Sequence, residues 1–130
     1  MAGQITVDEL LAEAREGLER LEPPDAASAM ADDAVLVDIR SDSQRAQDGI
    51  VPGAVVIPRN VLEWRCDPGS PHRDERVCDP TRQVIVLCDE GYQSSLAAAN
   101  LKRLGLERVT DLAGGFQAWR AAGLPVDRRG

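Results

Sequence analysis

Several residue types are scarce in this 130-residue sequence, which has one histidine, four aromatic residues and Lys102 as its single lysine. Because arginine supplies nearly all of the positive charge, any one arginine is a weak indicator of function. No apolar run approaches the roughly 18 residues that a membrane-spanning helix needs, and MAGQITVDEL lacks the pattern of a secretory signal. We therefore expect a soluble, cytoplasmic protein without a membrane partner.

Positive charge and cysteine are also limited. The formal net charge is -7, which repels phosphate backbones, so a nucleic acid partner is not expected. The three cysteines, Cys66, Cys78 and Cys88, are odd in number, which predicts free thiols and not a disulfide framework. The composition is 43% hydrophobic and 28% charged, as in ordinary globular proteins, so we expect a single domain spanning residues 1–130.

The first part of the chain combines a helix signal with loop signals. The segment Thr6-Val7-Asp8-Glu9 fits a capping box, and leucines and alanines follow at helical spacing, which predicts a helix over about residues 7–21. Pro23-Pro24 should end it, and DAASAMADD is interpreted as a loop. Ile5 could add a short strand before the helix.

Buried strands are predicted from four apolar runs, at Val35–Ile39, Ala54–Ile57, Val84–Leu87 and Val109–Leu112. The segments that join them are predicted to be a polar stretch, RSDSQRAQDG, a short helix capped by Asn60, a surface loop over residues 66–80, and a helix over Ser94–Leu104. A last helix should begin at Gly114-Gly115. Because strands and helices alternate without a hairpin signal, we predict an α/β fold with a single parallel sheet of about five strands and helices on both faces.

The segment VIVLCDEGYQSS ends its strand on Cys88, and ligands in open parallel sheets bind beyond the carboxyl ends of the strands. A short loop before a helix, with Gly91 at a positive φ, would aim backbone amides at the sulfur, which favours the thiolate and would stabilise a persulfide. Asp89 and Glu90 oppose this unless their carboxylates point outward, as we expect. The alternative is an inert, buried apolar cysteine.

Two long segments, VLVDIRSDSQRAQDGIVPGAVVIP and VIVLCDEGYQSSLAAANLKRLGLERVTDLAGGFQAWRAAGLPV, together resemble the rhodanese-like sulfurtransferase family. The matching positions are Asp38, Arg40, Ile50, Pro52, Gly53 and Ala54, with Val51 inserted, and then the Cys88 segment, Gly114-Gly115, Phe116, Trp119 and Gly123-Leu124-Pro125-Val126. The resemblance covers nearly the whole chain and implies a rhodanese-like fold.

In that family the loop cysteine takes sulfane sulfur from a donor, holds it as a persulfide and passes it to an acceptor. The resemblance therefore implies that Cys88 is the nucleophile. Asp38 and Arg40 end the first strand and should lie near the same edge of the sheet, where they support the neighbouring loops or, as the alternative, contact the substrate. The implied substrate-binding residues are Asp89, Glu90, Gly91, Tyr92, Gln93 and Ser94. The implied partners are a small sulfur donor and a thiol or cyanide acceptor, with a protein thiol as one option, and no cofactor is implied.

The sequence departs from the family pattern at the loop. Members active on thiosulfate commonly carry arginine where this chain has Asp89 and Gln93, and the usual histidine before Ile50 is Gly49. Carboxylates repel dianionic thiosulfate, so we expect it to be a poor donor. Related phosphatases and arsenate reductases close a longer loop with an arginine, which Gln93 and Ser94 cannot replace, so phosphate and arsenate chemistry is disfavoured.

Other interpretations of the sequence stay open. The chain could be a catalytically idle binding or regulatory module, or a redox sensor in which Cys66 or Cys78 reacts with Cys88. Cys66, His72 and Cys78 match no standard zinc spacing, so no metal is expected. Four arginines either line the approach to Cys88 or are solvated charges: Arg59, Arg65, Arg73 and Arg76. Tyr92 is expected at the mouth of the pocket, and Phe116 and Trp119 are expected to anchor the last helix in the core. Trp64 could have either role.

Overall fold

Four short apolar strands form a sheet in the computed structural model, which describes residues 3–128. The strands are β1 (Val35–Asp38), β2 (Val55–Val56), β3 (Val84–Leu87) and β4 (Val109–Asp111). The helices are α1 (Val7–Glu16), α2 (Pro23–Ala31), α3 (Asp42–Asp48), α4 (Leu62–Cys66), α5 (Gln93–Arg103) and α6 (Gly115–Ala121), with a 3-10 turn at Arg59–Val61 before α4.

The sheet is entirely parallel, with the strand order β2-β1-β3-β4. The carboxyl ends of the strands therefore meet at one edge, where Cys88 follows β3. The predicted parallel α/β fold is confirmed, with four strands and not about five. Ile5 is in coil and 47% exposed, so the strand predicted there is wrong. Instead, Leu21 makes a single parallel bridge to Leu112 beside β4.

Both faces of the sheet are covered, as predicted. On one face, the alternate strand residues Val37, Val86 and Cys88 belong to a buried cluster with Leu62 of α4 and Leu101 of α5. On the other face, Leu36, Ile85 and Leu87 belong to a second cluster with Ala26 of α2 and Phe116 of α6. Because β1 and β3 are buried on both faces, their residues are continuously apolar. The exception is Asp38, the last residue of β1; β3 is apolar through its last residue, Leu87.

Two helices were absent from the sequence prediction. The residues interpreted as a loop after Pro24 form α2, because Pro23 and Pro24 occupy its first positions, where a missing backbone N–H costs nothing. The polar stretch after β1 forms α3, which begins with a capping box between Ser41 and Gln44. The residues of α3 are mostly polar or charged and none of them is buried, so the segment shows no apolar periodicity. The sequence pattern therefore does not reveal this helix.

Three boundaries also differ from the prediction. Helix α1 has the predicted capping box but ends at Glu16, with Gly17 as its C-cap, and not at residue 21. Asn60 lies inside the 3-10 turn and caps no helix, because the turn has Pro58 at its N-cap. Cys66 is the last residue of α4 and not the first of the loop, which consists of turns that lead to β3. Within residues 3–128, none of the helices has both the length and the apolarity to cross a membrane.

Candidate active site

The sulfur of Cys88 lies in a loop between β3 and α5, the Cys88 loop (residues 88–93), and accepts two backbone hydrogen bonds. The Gly91 N–H donates to Cys88 Sγ at 3.1 Å and the Ser94 N–H donates at 3.4 Å. Gly91 has φ +89°, a conformation that L side chains rarely adopt, and this curls the loop around the sulfur. Backbone amides of this kind stabilise negative charge on sulfur.

An open pocket of about 320 Å³ gives access to this sulfur. Cys88 is 7% exposed, so it is sheltered but still reachable from the pocket. The other lining residues are Ile39, Arg40, Gln44, Asp89, Glu90, Tyr92 and Gln93. The structure therefore brings together the predicted cysteine, most of the predicted loop residues and Arg40.

The side chains of the loop differ in their surroundings. Asp89 Oδ1 accepts a hydrogen bond from Gln117 Nε2 at 2.9 Å, so its carboxylate is directed at α6. Glu90 and Gln93 are exposed. Tyr92 is 60% exposed and lines the pocket, in agreement with its expected place at the mouth. Two acidic residues, Asp89 and Glu90, therefore lie at the pocket, and the loop itself contributes no arginine.

The start of α6 fixes the position of the loop backbone. The Phe116 N–H donates to the Cys88 carbonyl at 2.9 Å, and the Gln117 N–H donates to the Asp89 carbonyl at 3.1 Å. Gly115 permits this approach, because a Cβ there would lie 2.6 Å from both carbonyl oxygens. Gly115 is therefore needed for α6 to begin directly against the Cys88 loop.

Asp38 and Arg40 form a buried ion pair at the end of β1. Arg40 Nη2 lies 2.8 Å from Asp38 Oδ2 and also donates to the Gly49 carbonyl at 2.8 Å, and both side chains are fully buried. The guanidinium stacks on the Phe116 ring at 3.9 Å from its centroid. Among the described residues, Arg40 Nη1 has no hydrogen-bond partner. The pair thus joins β1, the start of α6 and one wall of the pocket.

A polar network that the sequence did not reveal supports the other side of the loop. Arg15 Nη2 and Arg20 Nη2 donate to the Gly91 carbonyl at 2.8 and 2.9 Å. Arg20 also pairs with the buried Asp111 carboxylate at 2.9 Å. Ser95 Oγ donates to Asp111 Oδ2 at 2.8 Å and accepts from Arg15 Nε at 3.0 Å. The hydrogen-bonded partners in this network are 16 to 91 positions apart in the sequence, so no local pattern indicates the network.

The other two thiols differ from Cys88 in their surroundings. Cys78 lies in the segment that leads to the amino end of β3, whereas Cys88 follows the carboxyl end of that strand. Cys66 is fully buried, and burial raises the pKa of its thiol to about 12. Burial and the Glu75 carboxylate also raise the pKa of Cys78. Both thiols therefore favour the protonated form, which is the weaker nucleophile.

The four arginines considered near the pocket have partners elsewhere. Arg73 pairs with Glu75 and Arg76 pairs with Asp74, both within the loop that follows α4. Arg59 pairs with Glu63, and Arg65 donates to the His72 carbonyl. None of them lines the pocket described above. Across residues 3–128, no group of three or more His, Cys, Asp or Glu side chains could hold a metal ion.

Comparison with known proteins identifies the family. The rhodanese-like domain family is matched over residues 22–122. A sulfurtransferase from Allochromatium vinosum is 35% identical over 73% of this chain and 79% of its own length. The thiosulfate sulfurtransferase GlpE of Pseudomonas savastanoi is 34% identical over 76% of this chain and 85% of its own length.

A solved structure extends the similarity to almost the whole chain. A Rhodopseudomonas palustris protein of unknown function, described as a possible tyrosine phosphatase, is 35% identical with a TM-score of 0.86. The match covers 98% of this chain and 99% of that one. The family match, the two named relatives and the parallel sheet with a cysteine loop at its carboxyl edge agree with one another. The chain belongs to the rhodanese-like domain family.

Proposed function

We propose that this protein is a sulfurtransferase that carries sulfane sulfur as a persulfide on Cys88. The observation that carries the proposal is the pair of backbone N–H groups, from Gly91 and Ser94, that donate to Cys88 Sγ at the base of an open pocket. An inert core cysteine needs neither these donors nor a route to solvent. The sulfurtransferase names of two relatives support the same activity.

The proposed cycle has two displacement steps. In the first, the Cys88 thiolate attacks the outer sulfur of a donor R–S–SH or thiosulfate, so a Cys88 Sγ–S bond forms and the donor S–S bond breaks. The donor leaves as a thiolate or as sulfite. In the second, an acceptor thiolate or cyanide attacks the outer sulfur of the persulfide, which restores the Cys88 thiolate and yields an acceptor persulfide or thiocyanate. No net oxidation is required.

The pocket chemistry favours donors of low negative charge. Asp89 and Glu90 line the pocket, and the guanidinium that lines it, on Arg40, is already paired with Asp38. A dianion such as thiosulfate would approach two carboxylates without an unpaired cation from the loop. We therefore propose that a persulfide or polysulfide, including one on a protein, is the donor and that a thiol is the acceptor.

Phosphatase chemistry is a weaker alternative, although a similar structure is described as a possible tyrosine phosphatase. Phosphoryl transfer to a cysteine requires cations that hold the phosphate oxygens. The Cys88 loop has no arginine, and Arg15 and Arg20 donate to the outer, carbonyl side of Gly91. The charge needed for a phosphate is therefore missing from the pocket side of the loop.

Intact-protein mass spectrometry tests the proposed function. The reduced full chain is exposed briefly to a low-molecular-weight persulfide, mercaptopyruvate or thiosulfate, and Cys88→Ser, Cys66→Ala and Cys78→Ala variants are treated in parallel. We expect one added sulfur on the wild type and on the Cys66 and Cys78 variants, with none on Cys88→Ser. The persulfide donor should load fastest.

The competing interpretations give different results in the same experiment. If Cys88 gains no sulfur from any donor, the transferase proposal is wrong and the idle binding module takes its place. Loss of a thiol pair with formation of an internal disulfide would favour the redox sensor. Hydrolysis of p-nitrophenyl phosphate that depends on Cys88 would favour the phosphatase.

A further inference from the structure

The Gly91 carbonyl is an unusual meeting point of two cations. Arg15 Nη2 and Arg20 Nη2 reach it from α1 and from the segment after α1, at 2.8 and 2.9 Å. The N–H of the same residue donates to Cys88 Sγ at 3.1 Å. Gly91 is therefore a single-residue link between two guanidinium groups and the sulfur.

We propose that Arg15 and Arg20 are positioning residues for the sulfur chemistry of Cys88, a role that rests on the function proposed above. They hold Gly91 in its positive-φ conformation and place positive charge beneath the loop that surrounds the sulfur. This arrangement supplies, from outside the loop, the cationic support that Asp89 and Gln93 do not provide within it.

The conformation of Gly91 needs such support. Its φ is +89°, and a tight curl of this kind is easily lost in a glycine because the residue has many alternatives. Two charge-assisted hydrogen bonds to its carbonyl fix the orientation of the following peptide group, since C=O and N–H point in opposite directions in a trans peptide. The carbonyl is thereby held away from the thiolate, which it would otherwise repel.

The charge balance differs between the two arginines. Arg20 is neutralised by Asp111, with Nε 2.9 Å from Oδ1. In the part of the chain that the structure describes, Arg15 has hydrogen bonds to Ser95 and Gly91 but forms no ion pair. Arg15 thus leaves one uncompensated positive charge beneath the loop, partly screened from water, which favours the anionic thiolate and persulfide.

Both arginines lie outside the part of the chain that the family match covers. That match begins at residue 22, whereas Arg15 is in the last turn of α1 and Arg20 follows it. Helix α1 packs on α5, the helix whose first turn contains Ser94 and Ser95. The segment before residue 22 therefore acts on the reactive loop and is not a neutral addition to the domain.

The test compares Arg15→Gln, Arg20→Gln and Arg15→Lys in the full chain with Arg82→Gln as a matched control. Arg82 also donates to a backbone carbonyl, that of Asp33 at 2.8 Å, but it lies at the amino edge of the sheet. The rate of Cys88 alkylation by iodoacetamide is measured from about pH 5 to 10, with the modified residue identified by peptide mass spectrometry. Melting temperatures are recorded for every variant.

We expect Arg15→Gln and Arg20→Gln to slow alkylation at neutral pH by roughly three- to tenfold and to shift the rate profile toward higher pH, because the thiolate loses its support. Arg15→Lys should recover part of the rate, since lysine keeps the charge but loses the two-pronged contact. Arg82→Gln should leave the profile unchanged.

The other charged or titratable groups around the sulfur are the same in all of these variants. They are Asp89, Glu90 and Tyr92 on the loop, Arg40 on the pocket wall and Asp111 beneath the loop. Arg20→Gln also removes the partner of Asp111, so Arg15→Gln is the cleaner substitution. A shift in the profile of Arg15→Gln is therefore attributable to the lost guanidinium.

The outcomes separate this inference from the proposed function. If both glutamine variants melt lower than the wild type but their alkylation profiles superimpose on that of the wild type, the arginines are merely structural and the inference is overturned. If the profiles shift although the wild type takes sulfur from no donor, the positioning role stands and the sulfurtransferase proposal fails.

Discussion

Asp111 Oδ2 accepts a hydrogen bond from Ser94 Oγ at 2.7 Å, so the end of β4 is joined to the first turn of α5 beneath the reactive loop. Asp111 is fully buried and also pairs with Arg20. We expect Asp111→Asn to lower the free energy of unfolding by about 2–4 kcal/mol, because an amide removes the counter-ion of Arg20 and one acceptor oxygen. Urea denaturation measures the change.

Asp33→Asn is the matched control for that substitution. Asp33 pairs with Arg82 at 3.5 Å, but its side chain is 89% exposed. Exposed ion pairs contribute little, so the control should change the free energy of unfolding by less than about 1 kcal/mol. Equal effects of the two substitutions would show that the buried network adds nothing to stability.

Gly91→Ala tests the backbone conformation of the loop. A Cβ at Gly91 would lie 2.7 Å from the Gly114 backbone nitrogen, in addition to the strain of φ +89°. Gly105→Ala carries strain at φ +107° with nothing within 4 Å of its Cβ. We expect about 1 kcal/mol of destabilisation at Gly105 and about 2–4 kcal/mol at Gly91, together with slower alkylation of Cys88 only in Gly91→Ala.

Thermal or urea unfolding and iodoacetamide kinetics, applied to both glycine variants, give the comparison. If Gly91→Ala matches Gly105→Ala in stability and keeps the wild-type alkylation rate, then the close approach of α6 to the loop does not restrain the reactive cysteine.

The sheet and the position of the cysteine were predictable because they depend on local patterns. β1 and β3 are unbroken apolar runs buried on both faces, and alternation with helices implies parallel pairing. Cys88 follows such a strand, which places it at the carboxyl edge of the sheet. The strand at Ile5 was wrong because an isolated apolar residue says nothing about pairing.

The supporting network was not predictable from the sequence. Arg15 and the Gly91 carbonyl are 76 positions apart, and an arginine in an arginine-rich chain carries no periodic signal. The short helix α3 was missed for a related reason. Its start is defined by hydrogen bonds between side chains and backbone and not by apolar spacing. What sequence patterns lack is the tertiary packing that brings such residues together.

Cys66 predicts a specific alkaline instability. Burial raises the pKa of its thiol from 9.0 to about 12 in the folded protein. Above about pH 9 the unfolded chain therefore releases this proton and the folded chain retains it, so the stability present below that pH is lost as the pH rises toward 12. Between pH 9 and 10.5 the loss from this group amounts to about 2 kcal/mol.

The measurement is urea denaturation of the wild type and Cys66→Ala at several pH values from about 8 to 10.5. Cys66→Ala lowers stability at every pH through the lost packing, but its curve should fall less steeply, because the variant lacks the thiol whose pKa differs between the folded and unfolded chain. Parallel curves would mean that Cys66 ionises as readily in the folded protein as in the unfolded chain.

Charge at the pocket rim predicts donor preference. Asp89→Asn with Glu90→Gln removes two carboxylates that line the pocket, and the amide oxygen introduced at position 89 can still accept a hydrogen bond from Gln117. We expect kcat/KM for thiosulfate to rise about five- to tenfold at about 0.1 M salt, because the dianion no longer meets like charges. The neutral donor is dimethyl trisulfide, whose central sulfur is attacked by Cys88 with release of methanethiolate; that methanethiolate then removes the methylthio group as dimethyl disulfide and leaves the Cys88 persulfide. The rate with this donor should stay within about twofold of the wild type.

The control for donor preference is the double variant Asp32→Asn with Glu107→Gln. It has the same change in net charge, but the two exposed residues precede β1 and β4 at the opposite edge of the sheet. Long-range charge effects are screened beyond about 10 Å at 0.1 M salt, so this control should leave both donors unaffected. If thiosulfate accelerates equally in the control, net charge and not the acidic rim governs the preference. If it accelerates in neither, repulsion by Asp89 and Glu90 does not limit its reaction with Cys88.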